Sequence, residues 1–249
     1  MTHSAFADAL ARLWPRGDQK IAGLRAGIVA SAPAVFAKHG IATPLVAAHV
    51  MAQISHECGA GRDVVENLNY TAGRMMQVWP SRFPTMASAQ PYAGNPRALA
   101  NKVYNGRMGN AAGSDDGWNF RGRGAVQTTG REGYQRLARS TGLDVVNHPD
   151  LVNDPRYFLA CGVADFINCG CLPFAQADDV LNVTRRLNGG TIGLADRQAW
   201  LAKWKAALGN AALPLPAVAS PPLAPDAPVA PRPGLASILA ALVAAFRRT

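Results

Sequence analysis

Residues 43–70 read TPLVAAHVMAQISHECGAGRDVVENLNY, and this stretch decides the predicted fold. Thr43 suits a helix N-cap and Pro44 suits the first helical position, and apolar side chains then recur at helical spacing for three turns. Glu57 falls on the same inward face, just before two glycines that are typical of a helix end. The pattern therefore predicts a central helix that carries a carboxylate at its C-terminal end.

A second carboxylate, Glu66, follows in a polar stretch. Burial and the negative end of the helix dipole both disfavour ionisation of Glu57, which suits a proton donor, whereas polar neighbours should keep Glu66 charged. Two carboxylates in unlike environments are what acid/base hydrolysis of a glycoside requires. The local pattern is equally compatible with a structural Glu57 paired with an arginine and a solvated Glu66 in a loop.

Composition limits the classes of protein that the chain can represent. Its 249 residues are 49% hydrophobic, enough for one sizeable domain, and the net charge of +9 favours polyanionic partners such as nucleic acid, acidic membranes or an anionic wall polymer. We find no signal peptide and no apolar run of membrane-spanning length, so we expect synthesis in the cytoplasm. Four cysteines show neither a disulfide framework nor a metal-binding spacing, so we expect reduced cysteines, no metal and no cofactor.

Helical periodicity and breakers predict an almost entirely helical domain. Residues 84–97 contain three prolines and are predicted to be irregular. Residues 117–131, GWNFRGRGAVQTTGR, are rich in glycine and are predicted to form a small β-hairpin. Helices are predicted over 4–13, 18–38, the central stretch from 44, 71–80, 98–104, 130–141, 155–168 with Asp154 as N-cap, 176–187 and 194–208.

The glycine-rich stretch also carries candidate ligand-binding side chains. Trp118 and Phe120 could stack on sugar rings, and Gln127 and Thr129 offer hydrogen-bonding groups. The stretch lacks the third glycine and the Lys-Ser/Thr ending of a phosphate loop, and it is too short for an RNA-binding Arg-Gly segment. We therefore expect no nucleic-acid partner.

A change in composition divides the chain after its helical part. We predict a catalytic domain over 1–209, a proline- and alanine-rich linker over 210–233 and an amphipathic helix over 234–249. The apolar stripe and the closing arginines of residues 235–248 suggest contact with an anionic membrane. A helix that docks back on the catalytic domain, or a frayed tail, is the alternative.

Several motifs in one order resemble glycoside hydrolase family 19, a chitinase-like group, and in particular its short phage and prophage endolysins. The resemblance covers roughly 46–208. It rests on AQISHE, ENLNY, the run 100–110, DGWNFRGRGAVQTTGR and LNGGTIGLADR. It implies a mostly α, lysozyme-like, two-lobed domain with one small β-hairpin and a substrate cleft between the lobes.

The resemblance also implies roles for individual residues. Glu57 matches the general acid, Glu66 the general base, and Thr129 the hydroxyl residue that helps to hold the attacking water. The family inverts the anomeric centre, so its two carboxylates stand roughly 6.5–9.5 Å apart. The candidate substrate-binding residues are Gln127, Trp118, Tyr70, Asn188 and Arg197. Of these, Gln127, Asn188 and Arg197 match family positions that line the cleft or support the acid.

The expected function is that of an endolysin, a muramidase-type peptidoglycan glycosidase that cleaves β-1,4 bonds between N-acetylmuramic acid and N-acetylglucosamine. A monomer is expected, acting on the bacterial wall in the periplasm after release. The short spacing of Glu57 and Glu66 and the lack of disulfides favour peptidoglycan over chitin. Two alternatives are a chitinase and a non-catalytic basic wall-binding protein. A zinc metalloprotease is excluded, since Ala60 stands where HExxH requires histidine.

Overall fold

The structure is a computed structural model that describes residues 5–214. It is mostly helical, as predicted. Two 3-10 turns cover Gln90–Tyr92 and Pro149–Asn153. The α-helices are α1 (Ala5–Leu13), α2 (Leu24–Lys38), α3 (Pro44–Glu57), α4 (Ala72–Val78), α5 (Met86–Ala89), α6 (Pro96–Tyr104), α7 (Asp116–Asn119), α8 (Arg131–Thr141), α9 (Phe158–Asn168), α10 (Leu172–Gln176), α11 (Val180–Asn188) and α12 (Leu194–Leu208).

Helix α3 forms the centre of the core. Thr43 caps it by accepting a hydrogen bond from the backbone N–H of Val46, with Pro44 in the first turn. Every residue from 46 to 56 is buried, because α3 packs along α12 and also contacts α9, α10 and α11. Ser55 accepts hydrogen bonds on Oγ from the indole N–H groups of Trp14 (2.8 Å) and Trp204 (2.9 Å). A buried polar residue is thus fully used inside the core.

Three groups of buried side chains define two lobes. The first group surrounds α3, and the third lies beneath α8. Both belong to one large lobe, because α9 contributes side chains to each of them. The second group, from Leu68 to Tyr104, fills a smaller lobe built from α4, α5 and α6. Glu57 ends α3 in the large lobe, and Glu66 lies two residues before the core of the small one.

Several element boundaries differ from the prediction. Residues 84–97 are not irregular, since a Thr85–Ser88 capping box begins α5 and Asn95 caps the N-terminus of α6. Pro91 and Pro96 occupy first turns, where the missing N–H costs nothing, and Pro84 lies just before the cap of α5. Helix α9 begins at Phe158 rather than at 155, because the Asp154 carboxylate bonds to Arg156. Helices α2 and α11 likewise begin later than predicted, at Leu24 and Val180.

The predicted β-hairpin is reduced to two isolated antiparallel bridges, Val65 with Arg123 and Arg123 with Thr128. The first part of the glycine-rich stretch instead forms the single turn of α7. The bridges are enough to dock residues 122–128 on the segment that follows α3, so this stretch still carries its side chains to the junction of the lobes.

Some predictions fall outside residues 5–214. The linker over 210–233 and the helix over 234–249 lie there, apart from residues 210–214. Within the described range no helix is long and apolar enough to cross a bilayer, and no three His, Cys, Asp or Glu side chains form a group suited to a metal ion. All four cysteines are free, and three of them are buried.

Candidate active site

Glu57 is held by a buried arginine. Arg197 of α12 donates from one terminal nitrogen to Glu57 and from the other to Gln53, one turn earlier on α3. Only 7% of the Glu57 side chain and 1% of the Arg197 side chain are exposed. The predicted apolar environment of Glu57 is therefore wrong. The carboxylate lies against a cation, as in the arginine-paired alternative, and that cation is Arg197, which the resemblance matched to a position in the cleft or beside Glu57.

A second pair reinforces this contact between α3 and α12. His56 Nδ1 lies 2.6 Å from an Asp196 carboxylate oxygen, so two consecutive residues of α3 meet two consecutive residues of α12. The His56 ring also packs against Gly193, where a Cβ atom would stand 2.4 Å from it. Gly193 also needs its positive φ of 75°. The motif residues around 193–197 thus fix the position of Arg197.

Glu66 is enclosed at the junction of the lobes. Its Oε1 accepts a hydrogen bond from the backbone N–H of Gly122 (2.7 Å), and its Oε2 accepts one from the Tyr104 hydroxyl (2.8 Å). Burial raises the pKa of Glu66, and the hydrogen bonds from Gly122 and Tyr104 and the charge of Arg121 oppose that rise. The predicted polar neighbours of Glu66 are therefore present, whereas the alternative of a solvated Glu66 in a loop is wrong. Both glutamates are largely enclosed, Glu57 against a cation and Glu66 within hydrogen bonds.

The 127–129 segment converges on the same point. A Cβ atom at Gly122 would stand 3.2 Å from Gln127 Oε1, 3.3 Å from Thr129 Oγ1 and 3.5 Å from Glu66 Cβ. Gln127 adopts a positive φ of 55° and donates from its amide to the carbonyl of Asp63 (2.8 Å). A left-handed conformation at a residue other than glycine costs free energy and is characteristic of functional sites. The structure thus brings Gln127 and Thr129 to Glu66.

Thr129 is expected to position water rather than to exchange the key proton. Its hydroxyl donates to the carbonyl of Gln127 (2.8 Å), which leaves its lone pairs to accept from water. Thr129→Ser should therefore keep most of kcat, and Thr129→Ala should lose about 10-fold or more, the worth of one hydrogen bond to a reacting group. Steady-state kinetics on peptidoglycan measures both. Equal kcat in the alanine variant would remove Thr129 from the site.

Thr128 supplies the control for that experiment and a pH-dependent prediction of its own. Its hydroxyl turns away from the site and donates to Asp165 (2.5 Å), so Thr128→Ala should keep kcat while lowering stability.

Burial raises the pKa of Asp165 to about 6 from 3.8. The fold therefore favours the protonated carboxyl, and its stabilising contribution is present below about pH 4 and lost as the pH rises to about 6.

Asp165→Asn should remove the loss of stability that wild type shows as the pH rises. Between pH 4 and pH 7, the free energy of unfolding of the variant should gain about 2–3 kcal/mol relative to wild type, because one pKa unit corresponds to about 1.4 kcal/mol. Urea unfolding at a series of pH values measures the difference. Parallel profiles for the two proteins would show that Asp165 does not titrate in this range.

The two aromatic residues of the glycine-rich stretch do not present free faces. Phe120 is buried between Tyr134 and the Arg131 guanidinium, so its predicted stacking on sugar is wrong. One face of the Trp118 ring is covered by the guanidinium of Arg121, whose central carbon lies 3.7 Å from the ring centroid. A substrate can therefore contact Trp118 only beside Arg121 or on the part of the ring that Arg121 does not cover.

Tyr70 and Asn188 differ in their relation to the two carboxylates. Tyr70 is partly buried against Trp79, and burial, followed by the nearby charge of Glu66, raises its pKa. Asn188 ends α11 and donates to the carbonyl of Ile192 (3.4 Å), so its hydrogen bond does not join it to either glutamate. The structure therefore groups Tyr70 with Glu66 and leaves Asn188 at the end of α11, bonded to the loop before α12.

Sequence reasoning missed two residues that hold the carboxylates, Tyr104 and Gln53. Tyr104 was inside a quoted motif but received no role. It could have been found because a buried tyrosine hydroxyl normally has a hydrogen-bond partner. Gln53 precedes Glu57 by one helical turn, so both side chains share the face of α3 that meets α12.

Comparisons with known proteins add the family context. No protein-family model matches the chain. A glycosyl hydrolase family 19 domain-containing protein of Haemophilus influenzae is 32% identical over 172 residues, which cover 69% of this chain and 84% of that protein. A mutant of chitinase C superposes with a TM-score of 0.55 at 14% identity, covering 86% of this chain and 98% of that one. Chitinase C from Streptomyces griseus gives 0.51 at 17% identity, covering 86% and 81%. At these identities the two solved structures show a shared fold alone.

Proposed function

The chain belongs to glycosyl hydrolase family 19, and from this premise we propose that it is a phage- or prophage-type endolysin that hydrolyses peptidoglycan. It is a glycoside hydrolase with a chitinase-like fold. The proposed bond is the β-1,4 linkage between N-acetylmuramic acid and N-acetylglucosamine. Its cleavage would lyse the bacterial cell, after synthesis of the enzyme in the cytoplasm and its release to the wall.

The observation that carries the proposed chemistry is the pair of enclosed glutamates with unlike partners. In our mechanism Glu57 donates a proton to the glycosidic oxygen, and the Arg197 guanidinium stabilises the carboxylate that remains. Glu66 removes a proton from water while Gly122 and Tyr104 hold both of its oxygens. Burial raises the pKa of Glu66, which brings it closer to the working pH of a general base.

Thr129 completes this mechanism. Its hydroxyl lies beside Gly122, on the same side as Glu66, and accepts a hydrogen bond from the attacking water. Water attacks the anomeric carbon directly, so the configuration inverts and no covalent intermediate forms. The residues Gln127, Tyr70, Trp118 and Asn188 are proposed to line the cleft around this centre.

Charge favours peptidoglycan as the polymer. The net charge of +9 attracts strands that carry the carboxylates of the peptide stems, or of muramic acid where no stem is attached, whereas chitin is neutral. Chitin remains the second candidate, because both solved structures that resemble the chain are named as chitinases. Peptidoglycan and chitin share β-1,4-linked N-acetylglucosamine, so a common cleft could accept either.

A paired assay tests the proposal. Wild type and Glu57→Gln are incubated with purified peptidoglycan and with chitin oligomers, and the new reducing ends are identified by mass spectrometry. We expect muramic acid at the reducing end of the peptidoglycan products, their α-anomer in NMR spectra at early times, and faster turnover than on chitin. Faster turnover on chitin would favour the chitinase, and no turnover on either polymer by wild type would favour the non-catalytic wall-binding protein.

For the C-terminal residues 235–248, the proposal rests on their sequence alone. We propose that they bind anionic membranes after the wall has been reached. Vesicle binding by the full chain and by a chain that ends at Gly209 tests this idea, and equal binding by the two proteins would exclude it.

A further inference from the structure

Arg121 has an unusual position beside the candidate site. Its guanidinium lies over the Trp118 ring, with 3.7 Å between the central carbon and the ring centroid, and one terminal nitrogen donates to the Trp118 carbonyl (2.8 Å). The side chain is half-buried. Stacking and one hydrogen bond hold the planar group in one orientation, so its other N–H donors are fixed in direction before any ligand binds.

No carboxylate among the described residues forms an ion pair with this guanidinium. Arg123, its neighbour, pairs with Asp150 (3.0 Å) and donates to the carbonyl of Asn119. Arg121 has a carbonyl and an aromatic ring as partners instead. Burial, and then the positive charge of Arg123, lower the pKa of Arg121. The pKa of an arginine lies so far above 7 that the side chain stays charged. The charges of Asp150 and Glu66 act on Arg121 as well, but neither carboxylate forms an ion pair with its guanidinium, which is therefore available to bind one.

The location of this charge ties it to the substrate. Arg121 directly precedes Gly122, whose N–H holds the Glu66 carboxylate, and its charge is close enough to Glu66 to lower that residue's pKa. The Trp118 ring beneath it packs against the core of the small lobe. A group bound to Arg121 would therefore lie next to the proposed general base, on the wall that the small lobe contributes.

We propose that Arg121 binds a carboxylate of the glycan strand and thereby makes the site selective for peptidoglycan over neutral chitin. This inference rests on the proposed function. A guanidinium matches the two oxygens of a carboxylate with parallel N–H donors, and the stacked arrangement reduces the entropy lost on binding. The carboxylate can come from the lactyl group of muramic acid or from the peptide stem, and the substrates below distinguish the two sources.

The experiment compares Arg121→Gln with wild type on three forms of one polymer. The first is intact peptidoglycan, the second is glycan strands freed of peptide by an amidase, and the third is those strands with their lactyl carboxylates converted to methyl esters. Arg139→Gln serves as the matched control, because Arg139 is exposed on α8 and its loss changes the net charge equally. Thermal unfolding of each variant confirms that it is folded.

We expect Arg121→Gln to raise KM about 10-fold or more on strands with free carboxylates and to leave kcat nearly unchanged. On the methyl esters, wild type and variant should agree within about 2-fold, and Arg139→Gln should match wild type throughout. High salt should reduce the preference of wild type for the free carboxylates. A KM effect on freed strands assigns the lactyl carboxylate, whereas an effect confined to intact peptidoglycan assigns the stem.

Two results would overturn the inference. One is an equal loss on free and esterified strands, which would show that Arg121 only supports the fold of the site. The other is an Arg121→Gln variant that behaves like wild type on every substrate. Both results leave the proposed function standing, since wild type would still hydrolyse the strands. A wild type that cleaves none of the three would instead defeat the proposed function, and this inference with it.

Discussion

Glu57→Gln is expected to lower kcat on peptidoglycan by about 10²–10⁴-fold, the usual worth of general acid catalysis, with the fold intact. The amide keeps the size of the side chain and its oxygen can still accept from Arg197, so the fold is retained, but the buried guanidinium loses its counter-ion and the free energy of unfolding should fall. It cannot give a proton to the leaving oxygen. Turbidity loss of purified peptidoglycan and the kinetics of new reducing ends measure the effect.

Glu66→Gln is expected to be equally severe. In this variant the amide oxygen can accept from Gly122 and the amide nitrogen can donate to the Tyr104 hydroxyl oxygen, so the local hydrogen bonds survive. The variant would still be unable to accept a proton from water. Near-normal turnover by Glu66→Gln would show that the base is another group, and Asp63, whose carbonyl binds Gln127, would be the next candidate.

The roles of the two glutamates can be separated from each other. An aryl glycoside with a leaving group of low pKa needs no proton, so Glu57→Gln should recover most of its activity on such a substrate while Glu66→Gln should not. Since burial raises the pKa of Glu66, kcat/KM of wild type should fall at a higher pH than an ordinary glutamate would give, and Glu66→Gln should lose this acidic limb. The reverse pattern would exchange the roles of acid and base.

Local signals explain why the course of the central helix could be predicted. Thr43 caps α3 through the backbone only three residues away, and Pro44 fits the first turn without any partner from elsewhere in the chain. The same holds for α12, which begins and ends where the sequence predicts. Errors in the helical prediction arose where a side chain bonded differently from expectation, as Asp154 does with Arg156.

The electrostatic surroundings of the glutamates could not be predicted in the same way. Arg197 lies 140 positions from Glu57, and Tyr104 lies 38 positions from Glu66. The local sequence of Glu57 therefore predicted burial but not the cation that neutralises it. For Glu66 it predicted polar neighbours but neither which groups they are nor how far they enclose the carboxylate. Only the resemblance connected Arg197 with Glu57, whereas nothing in the sequence reasoning connected Tyr104 with Glu66.

Arg197→Met is expected to lower the free energy of unfolding by about 3–5 kcal/mol, because it leaves the buried Glu57 carboxylate without its cation. Arg197→Lys should recover only part of this loss, since one ammonium group cannot reproduce the fork that joins Glu57 and Gln53. Urea unfolding at pH 7 measures each variant, and Arg139→Met on the exposed side of α8 controls for the change in charge.

The double variant Arg197→Met with Glu57→Gln identifies the origin of that loss. If the unpaired carboxylate is what destabilises Arg197→Met, neutralising it should restore much of the lost stability, and the two substitutions should be strongly non-additive. If the double variant is as unstable as Arg197→Met, the loss comes from packing and from the Gln53 amide instead. Restored stability without restored activity would show that the pair serves both the fold and the reaction, because the acid would then be missing from an intact cleft.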